Sequence, residues 1–216
     1  MSVAKKDSEP VQMPSYWKEA AQDLVKRDRI MRKLIAAAGD SYPAKRGDPF
    51  KTLTRSIIGQ QISVKAAESI WQRFREVCPT CSPANVIKTG GENFLKCGLS
   101  KRKIEYVMDL AGHFRKKTVH PEKWMEMSDE EIIADLTRIR GIGRWTAEMF
   151  LIFNLHRPNV LPLDDVGLIK GISTAYFSGE PVTRMEVREL ASNWQPWCTV
   201  ATWYLWRSLT AIPVEY

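Results

Sequence analysis

Apolar residues recur along this chain at intervals of three and four, and capping residues interrupt them often. Tyr16, Trp17, Ala20, Ala21 and Leu24 share one helical stripe. Met31, Leu34 and Ile35 mark a second, which Asp28 can cap and Gly39 ends. Asp48-Pro49 joins an N-cap to a proline at the first helical position, ahead of Phe50, Leu53, Ile57 and Ile58. That helix gives out near Gly59-Gln60-Gln61, and Ser63 opens the next, with Ala67, Ile70, Trp71 and Phe74 in line. Ser82-Pro83 begins a short helix closed by Gly90-Gly91, and Ser100 precedes Ile104, Val107, Met108, Ala111 and Phe114. Ser128 with Glu131, and Thr183 with Glu186, form capping boxes. After Pro196 a last helix runs through Val200, Tyr204 and Leu205. No stretch alternates with period two, so the pattern predicts an all-α chain of about ten helices.

Composition narrows the class. A chain of 216 residues suits one domain, or two lobes sharing the chain. With 44% hydrophobic and 26% charged residues, most of it has the means to fold. No apolar run is long enough to cross a bilayer, so no membrane role is expected. Residues 1–13 read as a polar, basic arm rather than an export signal, which implies a cytoplasmic, nucleoid-associated protein with reduced cysteines. Cys78 and Cys81 form a CxxC without the second close pair that a structural zinc site needs. The three histidines lack helical ligand spacing, which argues against a metal hydrolase. Lys+Arg exceed Asp+Glu by 32 − 25 = 7, a modest bias toward nucleic acid.

Candidate chemistry concentrates in Leu136–Phe150, LTRIRGIGRWTAEMF. A helix ends, Gly141-Ile142-Gly143 turns the chain, and a second helix starts at once. Two glycines permit positive φ and close approach by another chain. Ile142 is placed to plug the seam between the helices. The open N–H groups of the new helix suit a phosphate, although such a turn also serves ordinary helical hairpins. Further on, Asp164-Asp165 sets two carboxylates before the helix VGLIKGIS, where either simple capping or catalysis is a sufficient reason for them.

These motifs together resemble the helix-hairpin-helix DNA glycosylases, and within them the bacterial 3-methyladenine DNA glycosylase II group. The resemblance rests on SIIGQQISVKAA at Ser56–Ala67, CGLSKRKIEYV at Cys97–Val107, GIGRWTA at Gly141–Ala147, LPLDDVGLIKG at Leu161–Gly171 and WQPWCTVATWYLWR at Trp194–Arg207. It covers the chain from about residue 14 onward. It implies two helical lobes with a DNA-facing cleft between them, one from 14–46 plus 160–216 and the other from 47–159. The implied activity is excision of alkylated purines, 3-methyladenine first, from double-stranded DNA by a monomer. The same fold with hypoxanthine or ethenoadenine as substrate, or a non-catalytic DNA-binding module, are the rival readings.

The resemblance also assigns residues. Asp165 matches the catalytic aspartate, whose carboxylate opposes the positive charge that develops on the sugar as the base leaves. Asp164 then reads as its capping neighbour. Trp145 stands where relatives with lyase activity carry a Schiff-base lysine, so the implied enzyme hydrolyses the bond and leaves the strand intact. Trp145, Trp197 and Met149 are the implied base pocket, in which electron-rich rings suit a cationic purine. Gln61 matches the residue that fills the gap left by the flipped nucleotide. Gly141, Ile142, Gly143, Arg144, Thr146, Ser100 and Lys103 are the implied DNA contacts, the last two at a helix start where Lys101 and Arg102 add charge. A solvated charged face would explain that start equally well. No cofactor is required; a Na+ or K+ ion at the backbone carbonyls of Thr137, Ile139 and Ile142 is implied. Arg140 departs from the usual proline before the hairpin, Cys198 from a common arginine, and Met149 from an aromatic.

Overall fold

A computed structural model describes residues 13–209; residues 1–12 of the polar arm and 210–216 of the last lobe segment lie outside them. The described residues form twelve α-helices and no strand. Asp28 separates α1 (Trp17–Arg27) from α2 (Arg29–Ala38), its carboxylate accepting from the N–H groups of Ile30 and Met31. Asp48 caps α3 (Pro49–Gly59), Ser63 caps α4 (Val64–Val77) and Ser82 caps α5 (Pro83–Thr89). The short α6 (Gly91–Lys96) follows directly, and Ser100 caps α7 (Lys101–Lys116). Capping boxes start α8 (Asp129–Thr137) and α11 (Arg184–Ser192). Between these lie α9 (Arg144–Phe153) and α10 (Val166–Tyr176), and α12 (Cys198–Leu209) closes the described chain.

Two local readings change. The Gly90-Gly91 pair ends one helix and begins another, because Gly90 takes φ 75° and breaks the axis. With a single buried residue, Phe94, α6 is too short to announce itself by periodicity. The cap of α10 is Asp165 and not Asp164: Oδ1 of Asp165 accepts from Leu168 N at 2.6 Å. Asp164 is exposed and pairs with Arg184 instead.

Helix packing falls into two groups. α1, α2 and α12 pack together, with α10 on α12. α3 packs on α4, α7 and α9, while α5 and α6 lie on α7 and α8 on α9. The last turn of α9 ties the groups together. Asn154 donates to the carbonyls of Arg46 and Gly47 and to Thr52 Oγ1, fixing the loop ahead of α3. Phe153 stacks on Trp206 of α12, with centroids 5.9 Å apart and planes 8° from parallel. Such a pair is worth roughly 0.5–1.5 kcal/mol beyond its buried area. Its position also fixes how α9 meets α12.

Candidate active site and nucleic-acid interface

Asp165 is 3% exposed, and its carboxylate meets three N–H donors. Leu168 N and Trp206 Nε1 donate to Oδ1, the latter at 2.7 Å, and Trp145 Nε1 donates to Oδ2 at 2.9 Å. The three come from α10, α12 and α9, so one side chain records the relative placement of three helices. Every partner donates, and the carboxylate therefore serves wholly as an acceptor in a fixed orientation. A rigid negative charge flanked by two indole rings can stabilise a cation that develops beside it.

The surroundings are aromatic and basic. Nothing in the sequence singles out Trp206 beyond its place in the quoted motif Trp194–Arg207. Spacing along α12 does not tell which of Trp203 and Trp206 turns toward an aspartate forty-one positions earlier. A cavity of about 860 Å³ opens beside Phe153, the ring stacked on Trp206, and includes Tyr42, Arg46, Trp203 and Arg207 in its walls. The Arg46 guanidinium lies 4.9 Å from the Phe153 ring centroid. Met149 sits one turn beyond Trp145 on α9 and is buried. Trp197 Nε1 donates to Asp23 at 2.9 Å, and its ring stacks on Tyr16.

The predicted DNA contacts gather at the hairpin. Gly141, Ile142 and Gly143 share the lining of a depression of about 490 Å³ with Gln61, Ser100 and Lys103. Arg102, whose charge at the α7 start was expected here, joins them, together with Gln60 and Tyr106, which nothing beyond their place in the quoted motifs had marked. Of the two hairpin glycines, Gly141 alone uses the left-handed region, at φ 85°, and a Cβ there would run into the Tyr106 ring. Gly143 takes φ −91° as the N-cap of α9 and supplies no side chain to that helix start, while its own Cβ direction is open. Ile142 is buried, as a plug should be. Gln60 Nε2 donates to the Gly141 carbonyl, which locks the end of α3 to the hairpin. The next residue, Gln61, is exposed and held at φ 58°, a conformation that costs an L-residue roughly 1 kcal/mol and turns it off the helix end.

Cations at this face divide by commitment. Lys103 Nζ donates to the Ile58 carbonyl, and burial lowers its pKa. Arg102 lies over Tyr106 and bonds its hydroxyl. Arg144 is held by Glu130 of α8 and by Glu148 of its own helix, so its charge clamps the two arms of the hairpin. Thr146 is buried on α9. Arg140, standing where proline is usual, gives its N–H to Asp109 Oδ2 and its guanidinium to Glu105. The hairpin is thereby stiffened through α7, by a bond that proline could not make. Glu148 went unnoticed in the sequence: it is 4% exposed, and burial raises its pKa to about 7 against the pull of Arg144.

Comparisons with known proteins agree with this geometry. Residues 54–196 match the HhH-GPD superfamily base excision DNA repair proteins. The DNA-3-methyladenine glycosylase 1 of Schizosaccharomyces pombe is 33% identical over 190 residues, covering 84% of this chain and 82% of the relative. Among solved structures, a DNA-3-methyladenine glycosidase from Bacillus halodurans superposes with a TM-score of 0.81 at 33% identity, covering 88% of each chain. The Schizosaccharomyces pombe 3-methyladenine DNA glycosylase bound to abasic DNA gives 0.79 at 31% identity, covering 91% of this chain and all of that one. The chain belongs to the HhH-GPD superfamily of base excision DNA repair proteins.

Proposed function

We propose that this protein is a monofunctional DNA glycosylase that excises alkylated purines, 3-methyladenine first, from double-stranded DNA. The observation that carries the reading is the buried Asp165 carboxylate gripped by the indole N–H groups of Trp145 and Trp206. Hydrolysis breaks the bond between the sugar C1′ and the purine nitrogen, whose electron pair leaves with the base. A methylated, cationic purine departs neutral and needs no acid. The charge it leaves behind on the sugar faces Asp165, and water then bonds to C1′ and releases a proton. Trp145 offers no amine, so no Schiff base forms and the strand remains intact with an abasic site. The relatives' names, which specify 3-methyladenine, and the abasic DNA of one solved relative support this assignment.

Binding follows from the hairpin face. Gly143 and the open start of α9 suit a phosphate, with Ser100 and Lys103 at the start of α7 beside it. Gln61, exposed at the edge of that face, is placed to fill the gap left by a flipped nucleotide. The grouping of helices supports a division into lobes at 14–46 plus 160–216 and at 47–159. The Thr137, Ile139 and Ile142 carbonyls are the groups that would hold a monovalent cation. Hard carbonyl oxygens beyond the negative end of α8 fit such an ion, even with Ile139 O also accepting from Ile142 N. When bound it would supply positive charge next to the phosphate site, and no chemical step depends on it. Base release from a panel of damaged duplexes tests the reading: 3-methyladenine should be released fastest, and no release of any alkylated purine would refute it.

A further inference from the structure

Gly167 lies in the first turn of α10, two residues beyond Asp165. It does not take a left-handed backbone, so its conformation makes no demand for glycine. By helix propensity alone, alanine would be better there by roughly 1 kcal/mol. The cost of a side chain comes from elsewhere. A Cβ at 167 would stand 3.1 Å from Asp165 Oδ1, 3.1 Å from Trp206 Cδ1 and 3.2 Å from Trp206 Nε1. These are the atoms of the Asp165–Trp206 hydrogen bond and the ring edge that makes it. Neither partner has room to withdraw. Trp206 is buried with a ring face stacked on Phe153, and Asp165 is held by donors from three helices. A methyl group at 167 therefore displaces the pair itself.

We propose that Gly167 is a positioning residue for base excision: the space left by its missing side chain lets the Trp206 indole edge lie against Asp165 and aim the carboxylate. The proposal rests on the reading of Asp165 as the catalytic carboxylate. Displacements of a few tenths of an ångström at such a group commonly cost rate rather than binding. The hairpin contacts to DNA lie on other helices and do not change.

The test is Gly167→Ala, measured by single-turnover base release, affinity for damaged duplex, thermal melting and the indole N–H resonances of the eight tryptophans. Trp206→Phe assigns the resonance of Trp206. The expected result is a fall in excision rate of roughly tenfold to a hundredfold, with DNA affinity within about twofold and the Trp206 N–H resonance displaced. A rate within about twofold of the parent overturns the proposal, as does a slow variant whose Trp206 resonance has not moved. Should Gly167→Ala fail to fold, the pair Trp206→Phe and Trp206→Phe/Gly167→Ala decides. Phenylalanine lacks Nε1 and so has no hydrogen bond to Asp165 left for the new methyl to disturb, so the double variant should match the single one. A further loss of roughly tenfold in the double variant overturns the proposal. Asp165→Asn, run alongside, separates the two ideas: full activity there removes the catalytic reading, whereas an inactive Asp165→Asn with an active Gly167→Ala removes only the role of Gly167.

Discussion

Trp145 donates its indole N–H to Oδ2 of Asp165 at 2.9 Å, across twenty positions of sequence. The bond sets an aromatic ring beside the carboxylate, at the position where a lyase would carry an amine. Borohydride added during turnover should therefore trap no covalent adduct between protein and DNA. The product strand should break only after alkali. Strand cleavage by the purified protein alone would show that another amine attacks the sugar.

Asp165→Asn should separate chemistry from binding. Asparagine can still cap α10 through its Oδ1, but its amide nitrogen would face the Trp145 Nε1 donor in a buried site, so stability should fall by roughly 1–3 kcal/mol. Asparagine also lacks the charge opposing a sugar cation, and excision should fall on the order of a hundredfold or more, with affinity for duplex DNA retained. Asp164→Asn should behave differently. Asp164 is exposed and paired with Arg184, so its loss should cost less than about 1 kcal/mol and leave excision near the parental rate. Base release and melting curves on both variants check this. A dead Asp164→Asn beside an active Asp165→Asn would transfer the catalytic role to the neighbour.

Most caps were legible because each is a local event: Asp28, Asp48, Ser63, Ser82, Ser100, Ser128 and Thr183 all bond within three residues. The Asp164-Asp165 pair defeated that logic, since both residues could cap and only the path of the chain decides. The hairpin face was readable for the same local reason, except where distant helices complete it. Tyr106 closes against Gly141 from α7, and Gln60 reaches it from the end of α3. Trp206 and Glu148 were hidden among apolar and charged neighbours. What distinguishes them is a partner or a degree of burial that only the packed molecule supplies. The partners of Trp197, Asp23 for its Nε1 and Tyr16 for its ring, are likewise set by packing and not by local sequence.

The two hairpin glycines should respond oppositely to alanine. Gly141→Ala combines a left-handed backbone with a collision against Tyr106, and should lose roughly 1–2 kcal/mol or more of stability. Gly143→Ala finds open space and an ordinary φ, so melting should shift by less than about 1 kcal/mol equivalent. Its methyl projects where a phosphate would approach, and affinity for duplex DNA should fall. Affinity of the parent should also drop steeply with salt, by a slope of about 0.9 for each phosphate contacted. Gel-shift titrations across a salt series measure both. An unaltered affinity in Gly143→Ala would place the DNA elsewhere.

Glu148 gives the molecule a pH-dependent stability with a definite sign. Burial raises its pKa from the ordinary 4.5 to about 7, with Arg144 opposing the rise and the charges of Asp164 and Glu130 adding to it. The folded state thus holds this proton more tightly than the unfolded chain. Stability from this group is complete below about pH 4.5 and is lost progressively as pH climbs toward 7, where the buried carboxylate must ionise. At 1.36 kcal/mol per pH unit, the loss is on the order of 3 kcal/mol. Glu148→Gln keeps the shape of the protonated side chain and cannot ionise. The variant should melt close to the parent near pH 4.5 and gain on it steadily up to about pH 7, then run parallel. Thermal or denaturant melts of both proteins between pH 4.5 and 8 measure the difference directly. A difference that stays constant across that range would mean Arg144 keeps Glu148 ionised throughout. The Arg144–Glu148 contact within α9 would then be a permanent ion pair and not one that loosens as the proton binds.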